Sequence, residues 1–264
     1  MIFAWGNVEL LKKECPIGMV GARKASNSSI VAGYSAAKEL GQVVEAVVVS
    51  GLAAGIDLYA HKGILDGNGF TIAVLGNGID IVYPRANREM YERIKKRGLL
   101  LTEFPLKTPP YKRNFPMRNR IISGLSRGVV VIEATQTSGA LITAQYALEQ
   151  GREVMAFPGR AGSESFSGNN RLIKEGAYLV ENASDILTAL GEDFTAVQRA
   201  PEKYSLLEQD ILNVIGDDRV SLEEIERVLS LPVSRIASTL MMLELKRVII
   251  QSPGKIFTRV SKYE

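Results

Sequence analysis

The sequence predicts a doubly wound α/β domain with a mostly parallel sheet, followed by a small winged-helix domain. Three observations carry this. Short β-branched runs recur between amphipathic stretches from residue 17 to about 190. Those runs are continuously apolar, as strands covered on both faces must be. Beyond residue 204 the pattern changes to three helical stretches and a hairpin within about 60 residues, the plan of a winged helix.

The expected strands are IGMV (17–20), AVVVS (46–50), TIAVL (71–75), LLLTE (99–103), VVVIEA (129–134), VMAF (154–157) and YLV (178–180). Helices are expected over Ser28–Leu40, Ile56–Leu65, Asn87–Lys96, Asn119–Leu125, Ala140–Gln150, Asn169–Glu175 and Ser184–Leu190. Residues 1–190 thus form the first domain. Residues 191–204, GEDFTAVQRAPEKY, lose periodicity and read as a linker. In 205–264, LLEQDILNVIG is a first helix, and Ser221 with Glu224 forms a capping box that starts a second. Pro232 suits the first turn of a third helix. VIIQ (248–251) and IFTRV (256–260) flank a turn at Ser252–Lys255.

Composition excludes several classes. Hydrophobic residues make up 46% and charged residues 23%, an ordinary globular balance. No apolar run approaches the roughly 18 residues of a membrane span, and the acidic residues and broken apolar pattern of the N-terminus do not suit a secretory signal. Cys15 and His61 are the sole cysteine and histidine. A disulfide within the chain is therefore impossible, a reducing cytoplasm is expected, and a zinc site of the usual ligands is not.

The net charge is only +3, so its distribution matters more than its size. Residues 201–264 carry nine Lys+Arg against ten Asp+Glu. From Phe104 to Ile132 there is no carboxylate but six cations: Lys107, Lys112, Arg113, Arg118, Arg120 and Arg127. Such a segment is either a solvated basic face or a footprint for a polyanion. Within it, Tyr111 and Phe115 alternate with cations, which suits a single strand whose backbone follows the charges while bases stack on rings. Phe115 before Pro116 could equally anchor the following helix in the core.

Ligands of a doubly wound sheet bind beyond the carboxyl ends of its strands. The segments there are GARKAS (21–26), GLAAGID (51–57), GNG (76–78), EFP (103–105), TQTSGA (135–140) and PGRAG (158–162), most of them rich in small residues. Small residues let backbone N–H groups approach an anion. The first loop lacks the G-x-G-x-x-G of a dinucleotide site, and no G-x-x-x-x-G-K-[ST] occurs, so no nucleotide cofactor is expected. Arg23 suits a sugar-phosphate backbone through its planar fork. Thr135, Thr137, Ser138 and Gly139 stand at a strand-to-helix junction, as a cap, an anion contact or both. Asp57 and His61, four apart, are either an acid–base pair or a carboxylate orienting a buried imidazole. Ser138 is not in a G-x-S-x-G elbow.

The string VGARKAS, VVSGLAAGIDLYAHKGIL, TIAVLGNGIDIVYPRAN, LLTEFP, NFPMRNRIISGLSRGVVVIEA, SGALITAQYALEQGREVMAFPG and GNNRLIKEGA resembles the DNA-processing protein A (DprA, or Smf) family in order, over about residues 16–190. The resemblance implies an extended Rossmann-like domain without cofactor or metal. It further implies a non-enzymatic homodimer that binds single-stranded DNA, protects it, and loads RecA recombinase during natural transformation. By the same resemblance Arg23, Lys112 and Phe115 are DNA contacts. Arg118, Asn119, Ser138 and Gly139 sit in matching motifs, and Gly21, Ser50, Gly51, Asn170 and Lys174 complete the expected DNA-binding set. Three departures stand out: only an AWGN stub precedes the Rossmann part where members often have a helical domain; Ser28–Ser29 replaces a usual Tyr-Gly; and Phe166 replaces a serine. Two alternatives remain: a phosphoribohydrolase-like enzyme using Asp57, His61 and Glu133, and a small-nucleotide sensor whose winged helix acts on duplex DNA. The winged helix is the weaker DNA candidate, with Arg235 as the only cation of its expected recognition helix.

Overall fold

The alternation expected from the apolar runs is present in the computed structural model, which describes residues 1–43, 46–191, 206–216, 219–229, 231–245, 248–252 and 254–259. The first of its two units, residues 1–199, opens with β1 (Phe3–Gly6), β2 (Cys15–Val20), α1 (Asn27–Leu40), β3 (Ala46–Ser50) and α2 (Ile56–Asp66). It continues through β4 (Phe70–Val74), α3 (Arg88–Arg97), β5 (Leu99–Thr102), α4 (Asn114–Leu125) and β6 (Gly128–Val131). It closes with α5 (Gly139–Glu149), β7 (Glu153–Ala156), α6 (Ser167–Lys174), β8 (Tyr178–Leu179) and α7 (Ala183–Ala189).

The eight strands run in the order β1-β5-β4-β3-β2-β6-β7-β8. All pairs are parallel except β1 with β5, where Phe3 faces Thr102 and Gly6 faces Leu99. Strand β1 escaped the sequence reading because FAWG is short and mostly exposed, so it has no continuous apolar run. From β2 the chain builds outward to β5, then α4 carries it back to β6 on the other side of β2. The order therefore reverses between β2 and β6, which opens a crevice at the carboxyl ends of those strands.

Side chains alternate between two cores. Val48 of β3 joins α1, α2, α3 and α7 on one face, while its neighbours Val47 and Val49 join α4 and α5 on the other. This period of two buries both faces, at roughly 1.5–3 kcal/mol per fully buried aliphatic side chain.

Helix α4 starts at Asn114, five residues before the expected start at Asn119. Pro116 explains the difference. It looks like a breaker, but it occupies the first turn, where backbone N–H groups have no intrahelical partner and proline is tolerated. The early start brings Phe115 onto the helix beside the crevice.

The second unit, residues 200–264, contains α8 (Leu206–Ile215), β9 (Arg219–Ser221), α9 (Leu222–Leu229), α10 (Val233–Leu245), β10 (Ile249–Ser252) and β11 (Ile256–Arg259). Its sheet is antiparallel, β10-β11-β9, and Ile211, Ile225, Ile236, Leu243 and Phe257 fill its core. The capping box forms: Ser221 Oγ accepts from Glu224 N at 3.2 Å, and Glu224 Oε2 accepts from Ser221 N at 3.1 Å. Arg235 is exposed on α10. The expected linker lies, beyond Gly191, outside the described residues.

Candidate nucleic-acid interface

The first loop after β2 is tied down from the strand across the crevice. Ser26 caps α1 by accepting from Ser29 N, and its own N–H and Oγ donate to Glu133 Oε2 at 3.0 and 2.6 Å. The Ala22 N–H donates to the Glu133 carbonyl at 2.8 Å. Ser28 and Ser29, which depart from the family pattern, join this network through Ser26 Oγ at 3.2 and 2.9 Å. The loop is so held that Arg23 is left exposed at its tip.

Helix α4 passes beneath the ends of β3 and β4, anchored by Arg118. The Arg118 side chain is 4% exposed. It donates to the carbonyls of Gly51, at 2.8 Å, and Val74, and its Nε donates to Asn119 Oδ1 at 3.0 Å. Asp57 lies 4.0 Å away and accepts from the N–H groups of Gly51 and Ala53 at 3.2 and 3.4 Å. Burial raises the Asp57 carboxyl, an effect that Arg118 opposes. Burial also pulls Arg118 down to about 10, still charged at neutral pH. A side chain at Gly51 would run into the Arg118 guanidinium, so glycine here makes room for that anchor.

The result is a groove of about 500 Å³ at the crevice. Gly21 and Arg23 line it from the first loop, Lys112 from the approach to α4, Phe115 from its first turn, and Ser138 and Gly139 from the start of α5. Arg118 and Asn119 reach its wall. Lys112 is exposed and Phe115 half-buried. The Arg23 guanidinium rests over the Phe115 ring, 5.3 Å from its centroid. Asn119 Nδ2 donates to the Gly139 carbonyl at 3.3 Å. Ser138 caps α5, its Oγ accepting from Ala140 N at 3.3 Å, and nothing lies within 4 Å of where a Gly139 side chain would begin. Backbone can therefore approach the positive end of α5 closely.

Four expected residues stand elsewhere or do other work. Arg118, expected as a contact, lies in the groove wall but also anchors the fold, Nη1 donating to two main-chain carbonyls and Nε to Asn119. Ser50 is fully buried and donates to the Met19 carbonyl at 2.6 Å, stitching β3 to β2. Asn170 clamps Gly159, accepting from its N–H and donating to its carbonyl at 3.1 and 3.0 Å. With Lys174 it lines a separate depression of about 690 Å³ beside α6. There Phe166 lies where a Gly159 side chain would start, so this departure covers the glycine loop.

The basic segment is also divided. Arg120 pairs with Glu103, Arg113 sits 5.6 Å over the Tyr111 ring, and Arg127 donates to the Leu190 carbonyl at 3.2 Å. Arg127 precedes β6, at the opposite end of the sheet from the crevice. A count of charges along the chain overstated the local field, because helix and strand distribute them to different ends.

Asp57 and His61 do not act on one another. His61 Nδ1 bonds Thr71 Oγ1 at 2.6 Å, and that hydroxyl donates to the Val48 carbonyl at 2.7 Å, which assigns the ring proton to Nδ1. Nε2 is left as a buried lone pair without a partner. Burial depresses the imidazole to about 3, with Arg118 adding to the effect. Glu133 serves the first loop. The three suspects for a hydrolytic step are thus all engaged in holding the fold.

Sequence reasoning did not single out Tyr83, and named Gly76 only within the loop GNG (76–78). Tyr83 packs on Phe115, centroids 5.5 Å apart and planes 32° apart, and Gly76 admits the Phe115 ring edge, 2.8 Å from where its side chain would begin. The signal for Tyr83 was an aromatic residue before Pro84 in the segment after β4.

Among the described residues, no helix is long and apolar enough to cross a membrane. A mostly parallel sheet with an aromatic, cationic groove at its switch point, and a winged helix further along the chain, define a Rossmann-like class of protein with a C-terminal winged-helix unit. Within it, this chain belongs to the DNA recombination-mediator protein A family, whose profile matches residues 1–191. A DprA winged helix domain profile matches residues 195–255.

Protein Smf of Escherichia coli is 43% identical over 217 residues, which cover 78% of this chain and 58% of that protein. The DNA processing protein DprA of Bacillus subtilis is 43% identical over 192 residues, 73% of this chain and 64% of that one. The chain thus spans about 58–65% of the length of such curated relatives. The X-ray structure of DprA from Streptococcus pneumoniae superposes with a TM-score of 0.68 at 43% identity, covering 71% of this chain and 65% of that one. DprA from Helicobacter pylori, described for its single-stranded DNA binding mode, superposes with a TM-score of 0.66 at 28% identity, covering 73% and 87%.

Proposed function

We propose that this protein binds single-stranded DNA in the switch-point groove and works without catalysis. Arg23 and Lys112 face solvent there and pair with phosphates, Phe115 meets a base, and the open backbone at Gly21 and Gly139 allows close approach of the strand. Asn119 and Ser138 hold that backbone in place, while Gly51 and Arg118 position the α4 end from below. Ser50 serves the same frame from inside the sheet. Asn170 and Lys174 belong to a neighbouring depression that a longer strand reaches. The observation that carries this reading is the convergence of Arg23, Lys112 and Phe115, from two distant segments, on one groove.

Membership of the family supports a wider role: protecting incoming DNA in the cytoplasm and handing it to RecA recombinase during natural transformation, as a homodimer. The two units divide the work, with residues 1–190 holding the strand and residues 205–264 making a protein contact or an auxiliary DNA contact.

Titration of the whole chain with oligo(dT) at several salt concentrations tests the DNA reading. Affinity falls with a log–log slope of about −0.7 for each phosphate neutralised. Arg23→Ala and Lys112→Ala each weaken binding and flatten that slope by about 0.7 without changing the melting temperature. A free nucleotide bound as tightly as oligo(dT), or binding that ignores salt, would overturn the proposal.

A further inference from the structure

We infer that Tyr83 is a second stacking platform for a nucleobase, the outer ring of a ledge of which Phe115 is the inner one. The inference rests on the single-strand reading above. Phe115 is hemmed in: Arg23 lies over its ring at 5.3 Å, Gly76 meets its edge, and Tyr83 is tilted against it. Tyr83 is the more open ring, 39% exposed.

Its position marks it further. Tyr83, Phe115, Arg23 and Ala53 line both the 500 Å³ groove and a recess of about 90 Å³ beside it. The rest of the recess is made by Gly51, Leu52, Ala54, Leu75 to Asn77 and Pro84. The two rings thus stand on the ridge between groove and recess. A base laid on Tyr83 keeps its sugar-phosphate in the groove, toward Arg23 and Lys112, and points its edge into the recess. The recess is too small for a whole base, so the ring face supplies the hold. Stacking uses the π-face that every base has, so the phenol oxygen is dispensable.

The test compares wild type, Tyr83→Ala and Tyr83→Phe as full-length chains, each binding oligo(dT) and an abasic oligomer of equal length. Tyr83→Ala weakens oligo(dT) binding by about fivefold or more and leaves the abasic affinity unchanged, whereas Tyr83→Phe matches wild type on both. Equal affinity of Tyr83→Ala and wild type for oligo(dT) overturns the inference. So does an equal loss on both ligands, which would make Tyr83 a loop-shaping residue only. If wild type fails to bind oligo(dT) at all, the single-strand reading falls and the platform with it, an outcome distinct from a wild type that binds and a Tyr83→Ala that binds equally.

Discussion

Arg118 beneath the groove and Arg23 on its rim are the same residue type lining the same groove, yet they do opposite work. Arg118 is 4% exposed, beside a buried carboxylate and two main-chain carbonyls. Arg23 is exposed, with its guanidinium over an aromatic face. Below the rim, polar groups are held internally: Asp57 by two N–H groups, Ser50 by a carbonyl, and the Nδ1 of His61 by Thr71. On the rim, cations, rings and glycines are left open. The difference teaches that a polar residue near a site is evidence of binding only when its donors are uncommitted. Buried ones must be paired to be tolerated at all.

The largest effect that would sharpen this contrast is expected at the buried arginine. Arg118→Ala leaves Asp57 uncompensated beneath the groove and costs about 3–5 kcal/mol of stability, read as a lower urea midpoint. A loss below about 1 kcal/mol would break the assignment of Arg118 to the fold.

A smaller effect follows from His61. Its folded pKa, about 3, lies below the ordinary 6.5. The depressed value means the neutral form is favoured on folding, so its stabilisation is fully present above about pH 6.5 and is lost as pH falls toward 3. The melting temperature therefore drops by several degrees between pH 7 and pH 4.5, and less in His61→Gln measured against its own value at pH 7. Equal drops in both chains would remove His61 from the account.

The smallest effect on stability, and a clear one on binding, belongs to the rim glycine. Gly139→Ala meets open space and lies at a helix start, so the melting temperature stays within about a degree. Oligo(dT) affinity falls several-fold if backbone approach matters there. Unchanged affinity would show that the strand does not come near the start of α5.

Much of this was legible in the sequence. Seven of the eight strands of the large sheet, the helices between them and the capping box at Ser221 follow from apolar runs, periodicity and cap chemistry, which are local properties. Strand β1 was not legible, since a short exposed edge strand depends on pairing with β5 rather than on its own pattern. The start of α4 was hidden by Pro116, whose effect depends on which turn of a helix it occupies. Loop composition pointed to the end of the sheet where the groove opens, and residues from Lys112 to Arg118 lie in its wall. Which cations face the groove was not legible: Arg113, Arg120 and Arg127 look like Lys112 in a list of charges and end up beside Tyr111, Glu103 and Leu190.

The sequence by itself determined the architecture and the family, because burial patterns, turn residues and motif order are written along the chain. Only the tertiary structure decided which side chains are free to meet a ligand. That freedom depends on partners contributed from distant segments, such as Gly51 and Val74 for Arg118 or Glu133 for Ser26. Tyr83 belongs to the same lesson, for nothing in VYPRAN says that its ring lies against Phe115, more than thirty residues away.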